Sequence, residues 1–201
     1  MLNLIIKQQF RIAVQDILIK TNRLKIRELK ISDLSDFHLY RSNPEVTKYQ
    51  GFDVMTMSET EDFINCNSLK QFGKPGEWVQ YGIENMETGQ LIGDCAIKLA
   101  LHDSRIAEIG ITISHLEQKK GYAKETLLGI LKFLFTKMDI HRVVEIVDTE
   151  NTASISLLKS IGFRLEGHFI ENIFFKGKWG SEFQFAMLRR HWEECKTISY
   201  R

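Results

Sequence analysis

The stretch RIAEIGITISHLEQKKGYAKE, residues 105–125, joins an alternating apolar segment to a glycine-containing turn and then to a helical pattern. The alternation over residues 105–114 predicts a β-strand. Apolar residues at helical spacing from Ala123 to Met138 predict a helix of about four turns. The first amides of such a helix have no intrahelical partner and lie at the positive end of its dipole. Because Gly121 and the small Ala123 leave these amides accessible, the turn is a candidate pyrophosphate site.

Three lysines, Lys119, Lys120 and Lys124, would add local positive charge to this turn. The chain as a whole is balanced, with 27 Lys plus Arg, 26 Asp plus Glu and a net charge of +1, so no global field attracts nucleic acid or an acidic membrane. The same residues also fit an ordinary helix start with a solvated basic edge. A dinucleotide-binding turn is excluded, because it requires three glycines in G-x-G-x-x-G and this turn has one.

Outward from this junction, the sequence predicts one α/β (α+β) domain with seven strands. The strands fall at residues 23–28, 78–83, 90–99, 105–114, 142–147, 163–174 and 181–188. The run RVVEIV at 142–147 is nearly continuous and apolar, which is typical of a strand buried on both faces. Four helices lie between the strands. A mixed, largely antiparallel sheet with helices on both faces is the economical packing of this order.

The helices are predicted from their caps and their spacing. Ser32 is expected as the N-cap of a short helix that Pro44 closes. Ser58 and Glu61 form a capping-box pattern ahead of a second helix. The third is the helix that follows the glycine turn, and the fourth covers residues 151–161.

The composition is typical of a globular protein from a reducing compartment. A length of 201 residues, 43% of them hydrophobic, fits a single domain. The three cysteines are far apart and lack metal-ligand spacing, which argues against a disulfide framework or a metal site. Lys7, Arg11 and Asp16 interrupt the apolar residues of segment 1–20, which therefore lacks the core of a signal peptide or membrane span. We expect a cytoplasmic protein that binds neither nucleic acid nor a membrane.

A second strand-to-helix junction, VDTENTASISLLKSIGFRLEG, occupies residues 147–167. Together, segments 118–123 and 151–163 resemble the two signature motifs of the GNAT superfamily of acyl-CoA-dependent N-acyltransferases. The similarity is closest to the ribosomal-protein N-terminal (alanine/serine) acetyltransferases, through TNRLKIREL (21–29), NPEV (43–46), AEIGI (107–111) and FFKGKWGSE (174–182). The resemblance implies a domain at 21–192, with an extension at 1–20 and a tail at 193–201.

The resemblance implies that acetyl-CoA is the donor substrate and that no metal is used. It places the pyrophosphate on the glycine turn, the pantetheine arm along the preceding strand, and the thioester in a central splay between that strand and RVVEIV. The backbone N–H of Ile111 would then donate to the thioester oxygen as negative charge develops there, a contribution of about 3 kcal/mol. The implied coenzyme A contacts are Ile111, Thr112, Ile113, Gln118, Lys119, Lys120, Gly121, Tyr122, Ala123, Lys124, Asn151 and Ser154.

Glu108 is the candidate general base. Alternation puts it on the opposite strand face from Ala107, Ile109, Ile111 and Ile113, an apolar set that should pack on the core. In the GNAT superfamily, which this sequence resembles, the more polar face of this strand contains the acceptor site. An amine that arrives as ammonium must lose a proton before it attacks, and a carboxylate acting through water can take it. An ordinary solvated strand carboxylate is the alternative interpretation.

Ser154 is the candidate general acid for the leaving thiolate. Many members of the resembling family have a tyrosine where this chain has Leu158, and its ribosomal-protein branch uses a serine three residues after the asparagine instead. Asn151 would orient the pantetheine or the acyl group. Both residues also fit a purely structural interpretation, with Asn151 as a helix N-cap and Ser154 as a first-turn residue.

Acceptor contacts are expected from the loop between the first two helices and from the late hairpin. These residues are Asn43, Glu45, Tyr49, Phe174, Phe175, Lys178 and Trp179. Aromatic residues in the hairpin turn suggest either a substrate wall or a subunit contact, as in a homodimer.

Two functions of different classes remain at this point. The first is N-acetylation of a protein N-terminus or a small amine, by direct attack on acetyl-CoA in a ternary complex. The second is a non-catalytic acyl-CoA-binding module that serves as a sensor or an interaction surface. Nucleic-acid binding has little support, since the lysines at 119–124 are few and the net charge is low.

Overall fold

The computed structural model describes residues 17–199, with side chains up to residue 194. Eight strands form one sheet in the order β1-β2-β3-β4-β5-β6-β8-β7. The strands are β1 (Ile19–Lys20), β2 (Leu24–Glu28), β3 (Val79–Asn85), β4 (Leu91–Leu99), β5 (Ile106–Ile113), β6 (Arg142–Asp148), β7 (Arg164–Phe175) and β8 (Lys178–Leu188). All neighbours pair antiparallel except β5 and β6, which are parallel.

The prediction of seven strands is wrong by one, because β1 was not recognised. This strand has two residues, and it pairs with β2 through Ile19↔Ile26 and Lys20↔Lys25. Two residues are too few for an alternating pattern to be detected in a sequence. Residues 1–16 of the predicted extension lie outside the described residues.

A 3₁₀ turn and six helices complete the chain from residue 17 to residue 199. The turn covers Ile31–Asp33, and the helices are α1 (Leu34–Arg41), α2 (Pro44–Thr47), α3 (Met57–Ser68), α4 (Tyr122–Lys137), α5 (Thr152–Ile161) and α6 (Arg189–Ser199). The four predicted helices correspond to α1, α3, α4 and α5. The short helix α2 and the last helix were not predicted.

Two predicted caps are displaced. Asp33, rather than Ser32, holds the start of the first helical segment, because its carboxylate accepts the Lys30 amide at 2.8 Å and the two terminal nitrogens of Arg27 at 2.7 and 2.9 Å. The capping box of α3 is formed by Thr56 and Glu59, two residues before the predicted pair.

Pro44 begins α2 instead of closing α1. Proline is favoured in the first turn of a helix, where its missing N–H would have no partner. The side chain of Asn43 caps this short helix by accepting the Glu45 amide at 2.9 Å.

The helices cover both faces of the sheet, as predicted. On one face α4 contributes Leu127, Ile130 and Leu134, which are completely buried with the apolar side chains of β3, β4 and β5. On the other face α1 contributes Tyr40 and Arg41, which contact Asp94 of β4. Each fully buried aliphatic side chain contributes about 1.5–3 kcal/mol, so these three side chains of α4 contribute substantially to the stability of that face.

The parallel pair β5–β6 opens into a central splay. The two strands pair only through Ile106↔Arg142, Ala107↔Val143 and Glu108↔Val144. Beyond these residues β5 continues to Ile113 paired with β4, and β6 continues to Asp148 paired with β8. Strand β5 therefore has one edge that faces a gap, as the sequence prediction required.

Candidate active site

The turn before α4 has the backbone geometry of an anion site. Lys119 and Gly121 have positive φ angles, 62° and 83°, and Tyr122 is the first residue of the helix. Glycine adopts this left-handed conformation without a Cβ penalty. The start of α4 thus presents its unpaired amides beside an exposed residue that has no side chain.

Arg23 and Glu125 form an ion pair beside this turn that the sequence analysis missed. Glu125 accepts the Thr21 hydroxyl at 2.6 Å, the Arg23 amide at 2.8 Å and the Arg23 Nε at 2.7 Å. Arg23 also donates through Nη1 to the carbonyl of Lys120 at 3.1 Å and stacks on the Tyr122 ring. Burial opposes the ionisation of Glu125, but these hydrogen bonds and the Arg23 charge lower its pKa.

Arg23 is therefore a candidate phosphate-binding residue. A Cβ added at Gly121 would lie 3.5 Å from its Nη2 atom, so the guanidinium borders the space in front of the turn. Arg23 and Glu125 are separated by 102 residues. No local pattern in the sequence could have connected them.

The other residues predicted on the turn differ in what they can offer to coenzyme A. Lys119 and Lys124 are exposed, and Lys120 is exposed and paired with Glu117 at 2.9 Å. Tyr122 packs against the core and accepts the Asn85 amide at 3.3 Å, and Ala123 is also partly buried. These last two residues can contribute only backbone groups to the site.

The free edge of β5 presents Ile111 to the splay. The carbonyl of Ile106 accepts the Ala100 amide and the Ser114 amide donates to Ile92, so even-numbered residues direct their backbone groups to β4. Odd-numbered residues direct theirs to the gap. The Gln118 side chain donates a hydrogen bond to one of these groups, the Ile113 carbonyl, at 3.2 Å. The backbone groups of Ile111 face the gap.

Side chains on β5 follow the predicted alternation. Ala107, Ile109 and Ile113 are buried on the α4 face, and Thr112 is buried on the other. Glu108 is on the Thr112 face, at the last residue pair before the splay opens. It forms an ion pair with Lys98, its direct neighbour on β4, at 2.6 Å.

At the second junction, Asn151 caps α5. Its side-chain oxygen accepts the Ser154 amide at 3.1 Å, as in the structural interpretation, while the Nδ2 donor makes no hydrogen bond within residues 17–194. Leu158, at the position of the family's tyrosine, is completely buried and contributes to the core.

The Ser154 hydroxyl has a buried partner, Glu145 of β6. The Ser154 Oγ donates to Glu145 Oε1 at 3.4 Å, and Glu145 is 6% exposed. Burial raises the pKa of Glu145 to about 8, and the Ser154 hydrogen bond opposes this shift. In the sequence, Glu145 is part of the apolar run at 142–147, and no role was predicted for it.

The predicted acceptor residues divide into two groups. Tyr49 donates to the Glu150 carbonyl at 3.3 Å, and Lys178 lies 3.6 Å from the Glu150 carboxylate. Lys176, at the hairpin tip, donates to the Thr47 carbonyl at 2.7 Å. The loop around α2, the start of α5 and the hairpin therefore meet at one end of the splay.

Phe174 and Trp179 belong to the second group. They form a cross-strand pair with ring centroids 5.5 Å apart. Alternation along β8 puts Trp179 on the opposite face from Lys178, so this pair does not share a face with the acceptor loop. Phe175 pairs with Lys178, Asn43 is the cap described above, and Glu45 is exposed.

Two acidic residues occupy opposite positions on β6 and β8 at the open end of the splay, and the Asp148 carboxylate accepts the Glu150 amide at 2.7 Å. Asp148 is directly opposite Glu182 on β8, on the Glu108 face of the sheet. Like charges in this arrangement are destabilising unless a cation lies between them. Glu182 also accepts the Asn172 amide at 2.6 Å.

Comparisons with known proteins agree with this geometry. The model of the family described as acetyltransferase (GNAT) domain matches residues 23–164. A Bacillus licheniformis protein described as uncharacterized N-acetyltransferase p20 is 30% identical over 173 residues, which are 86% of this chain and 96% of that protein. The spermidine N(1)-acetyltransferase of Vibrio cholerae is 27% identical over 164 residues, 79% of this chain and 88% of that protein. The crystal structure of a GNAT-family acetyltransferase from Bacillus anthracis superposes with a TM-score of 0.78 at 29% identity, covering 87% of this chain and 99% of that one.

Proposed function

The chain belongs to the GNAT acetyltransferase family, and from this premise we propose that it transfers the acetyl group of acetyl-CoA to a small polycationic amine. That it is an acetyl-CoA-dependent N-acetyltransferase follows from the family. The observation that carries the choice of acceptor is the pair of opposed carboxylates, Asp148 and Glu182, at the open end of the splay.

In this proposal, acetyl-CoA binds to the backbone of α4 and β5. The pyrophosphate would bind the first amides of α4, with Arg23, Lys119 and Lys124 supplying positive charge around it. The pantetheine arm would extend β5 along its free edge as a pseudo-strand. The Ile111 N–H would then donate to the thioester oxygen, where negative charge develops during attack.

The acceptor half uses acidic side chains. An ammonium group between Asp148 and Glu182 would remove the repulsion between them, which amounts to a few tenths to about 1 kcal/mol for directly opposite like charges. The carboxylate of Glu150 lies at the same end of the splay. A polyamine has several ammonium groups, and the Vibrio cholerae relative is described as a spermidine acetyltransferase. An α-amine of a protein, the other acceptor considered from the sequence, offers a single charge.

In the proposed reaction, the amine nitrogen attacks the thioester carbon and the C–S bond breaks. The amine must lose a proton before or during attack, and Glu108 is on the acceptor face at the start of the splay. We assign it the role of base, which requires the carboxylate to leave Lys98 for a water or for the amine. The thiolate gains a proton from the Ser154 hydroxyl.

The test measures thiol release from acetyl-CoA with three acceptors: spermidine, propylamine and a peptide that begins with serine. We expect the highest kcat/KM for spermidine. Asp148→Asn and Glu182→Gln should raise the KM for spermidine about tenfold, because each removes one charge from the ammonium site, and should leave the KM for acetyl-CoA unchanged. Glu194→Gln is the matched control, because Glu194 is exposed in α6, and α6 follows the end of β8 that is opposite to Glu182.

Each other outcome identifies a different function. A preference for the peptide would favour protein N-termini as acceptors. Tight binding of acetyl-CoA without turnover of any amine would favour the non-catalytic module. Equal rates with spermidine and propylamine would show that the carboxylates do not select the acceptor.

We also propose that the protein forms a homodimer through β7. This strand is at the end of the sheet order, so its outer edge has no neighbouring strand within the described chain. Its exposed apolar side chains are Leu165, Phe169, Ile170, Ile173 and Phe174. Exposed apolar side chains on an open strand edge favour pairing with a second chain.

A further inference from the structure

Glu145 is a buried acid placed directly behind a proposed catalytic hydroxyl. It is the first residue of β6 beyond the last β5–β6 pair, Glu108↔Val144, and so lies where the splay opens. One carboxyl oxygen, Oε1, accepts from Ser154 at 3.4 Å. The other, Oε2, is buried and has no hydrogen-bond partner among the described residues. A buried carboxyl in such surroundings is costly when it is ionised.

We propose that Glu145 is a positioning residue that orients the Ser154 hydroxyl and returns a proton to it when the thiolate leaves. This inference rests on the proposed function and on the role given there to Ser154. Glu145 does not contact the reacting atoms in this proposal and acts only through Ser154.

The proposed relay moves one proton from Ser154 to the sulfur and one from Glu145 to Ser154. When the C–S bond breaks, the sulfur takes the proton of the Ser154 hydroxyl and leaves as a thiol. For this step the Ser154 hydroxyl turns from Glu145 Oε1, to which it donates at 3.4 Å in the structure, toward the sulfur. The Ser154 oxygen then takes the proton of the Glu145 carboxyl, so no free alkoxide forms. Glu145 is left as a carboxylate and regains a proton from solvent through Ser154 after the thiol departs. The ammonium loses one proton before attack, and its nitrogen loses a second as the amide forms. Because the thiolate gains one proton, acetylation of an ammonium releases one net proton to solvent.

The surroundings of Glu145 keep its carboxyl neutral near physiological pH. Its neighbours on the same face of β6 are Val143 and Val147, and the residue opposite on β8 is Phe185, all of them buried. The charged residues of β6 and of the part of β8 paired with it lie on the opposite face of the sheet from Glu145. These residues are Arg142, Asp148 and Glu182. On α5, Lys159 is exposed.

The protonation state follows from these surroundings. Burial is the cause that raises the pKa of Glu145 to about 8, and the Ser154 hydroxyl is the one group that acts against it. Glu145 therefore carries a proton at neutral pH and can donate it. As pH rises through about 8 this proton is lost, and the assisted step should slow.

The experiment compares wild type, Glu145→Gln, Ser154→Ala and the double variant in single turnovers of acetyl-CoA with spermidine across pH 6–10. We expect Glu145→Gln to slow acetyl transfer about tenfold to a hundredfold at neutral pH and to abolish the decrease in rate near pH 8. The double variant should be no slower than Ser154→Ala alone, because both residues act in one step. Glutamine imitates the neutral acid in shape, so the variant should fold. Glu166→Gln, which alters an exposed glutamate of β7, should retain the wild-type profile.

A second measurement does not depend on turnover. The carboxyl resonance of Glu145, assigned by its loss in Glu145→Gln, is followed by NMR in the full-length protein as pH is raised. We expect a midpoint near 8 that increases in Ser154→Ala, because the serine hydrogen bond favours the ionised form.

The outcomes separate the two proposals. If no amine is acetylated by the wild type, the proposed function fails, and the NMR midpoint still decides whether Glu145 and Ser154 are coupled. A midpoint unchanged by Ser154→Ala overturns the relay. It is also overturned if the wild type is active and Glu145→Gln keeps both the rate and the pH profile.

Discussion

Gly121 illustrates how one residue joins local conformation to binding. Its φ of 83° precedes the first residue of α4, a conformation that β-branched residues adopt only at a cost of roughly 1–3 kcal/mol. From the sequence alone, Gly121→Val is expected to abolish anion binding with little change in the fold. The positive φ shows that valine would also strain the helix start, so loss of binding in that variant would have two causes.

Asparagine separates the two causes, because it tolerates the left-handed conformation. We predict that Gly121→Asn weakens coenzyme A binding at least tenfold while lowering the free energy of unfolding by less than about 1 kcal/mol. Its Cβ would lie at an ordinary distance from Arg23, 3.5 Å, with the rest of the side chain in front of the turn. Calorimetric titration with coenzyme A and urea unfolding measure the two effects. Full affinity in Gly121→Asn would remove the turn from the binding site.

The buried carboxyl of Glu145 makes the stability of the whole fold depend on pH. Its carboxyl has an ordinary value of 4.5 and a folded-state pKa of about 8. Below pH 4.5 the group is protonated in both states. Between the two values the unfolded chain loses the proton and the folded chain keeps it, so the free energy of unfolding falls as pH rises. Above about 8 both are ionised and the loss is complete.

We predict that Glu145→Gln removes this part of the pH dependence. Relative to wild type, the variant should gain stability as pH rises from 5 to 9, by a few kcal/mol in total, roughly 3–5. Urea unfolding of the two proteins at pH 5, 7 and 9 measures the difference. A constant difference across this range would mean that Glu145 is ionised in the folded protein at neutral pH.

Among the helices and strands, those with a regular apolar face were predicted from the sequence pattern. Apolar periodicity located α1, α3, α4, α5 and seven strands, because each buries a regular face. It missed the two-residue β1 and assigned the α3 cap to Ser58 when Thr56 also fits the motif. Choosing between two equivalent caps depends on the chain around them, which a local motif does not contain.

In the candidate site too, the sequence predicted local structures but not contacts between residues that are far apart in the chain. The turn at 118–123 and the cap at Asn151 are local structures, and the sequence predicted their positions. The Arg23–Glu125 and Lys98–Glu108 ion pairs depend on the order of strands and helices in the folded chain. Glu145 was overlooked for a related reason, since a single acid in an apolar run does not show which face it takes.

A buried polar cluster fixes α1 to β4. Asp94 is completely buried and accepts from Arg41 Nη2 at 2.5 Å, from Arg41 Nε at 3.2 Å and from the Tyr40 hydroxyl at 2.9 Å. Gln80 donates to the same carboxylate. Burial, followed by the Asp94 charge, raises the pKa of Tyr40 well above its ordinary value, so the phenol remains a donor.

Removing Asp94 should leave the Arg41 charge buried without a partner. We predict that Asp94→Ala lowers the free energy of unfolding by about 3–5 kcal/mol. Lys74→Ala, which breaks the exposed Lys74–Glu77 pair, should cost less than about 1 kcal/mol. Urea unfolding at one pH compares the two variants. A loss from Asp94→Ala as small as the control would mean that water or a rearranged Arg41 replaces the carboxylate.

For the molecule as a whole, the sheet has two unlike ends. At one end the two-residue β1 is next to α4, with Gly129 packed against Thr21 and Ile19. At the other end β7 is twelve residues long and almost entirely exposed. Its bulges, between Leu165 and Gly167 and between Phe169 and Ile173, interrupt the register with β8. A long open edge of this kind is the position at which a second chain could extend or cover the sheet.

We predict that the wild-type protein is a dimer at micromolar concentration and that Ile170→Lys or Phe174→Lys shifts it to monomer. Ile170 and Phe174 are 73% and 61% exposed on β7, and a lysine at either position would place charge in an apolar contact, where desolvation is costly. Light scattering coupled to size exclusion measures the mass.

Leu101→Lys, at a residue 81% exposed in the loop between β4 and β5, is the control and should leave the dimer intact. Dissociation by all three variants would point to a general charge effect, and a monomeric wild type would exclude β7 as a dimer interface. Acetyl transfer measured on the separated monomer then shows whether the second chain contributes to the acceptor site, because the tip of the β7–β8 hairpin is tied to that site through Lys176 and Thr47.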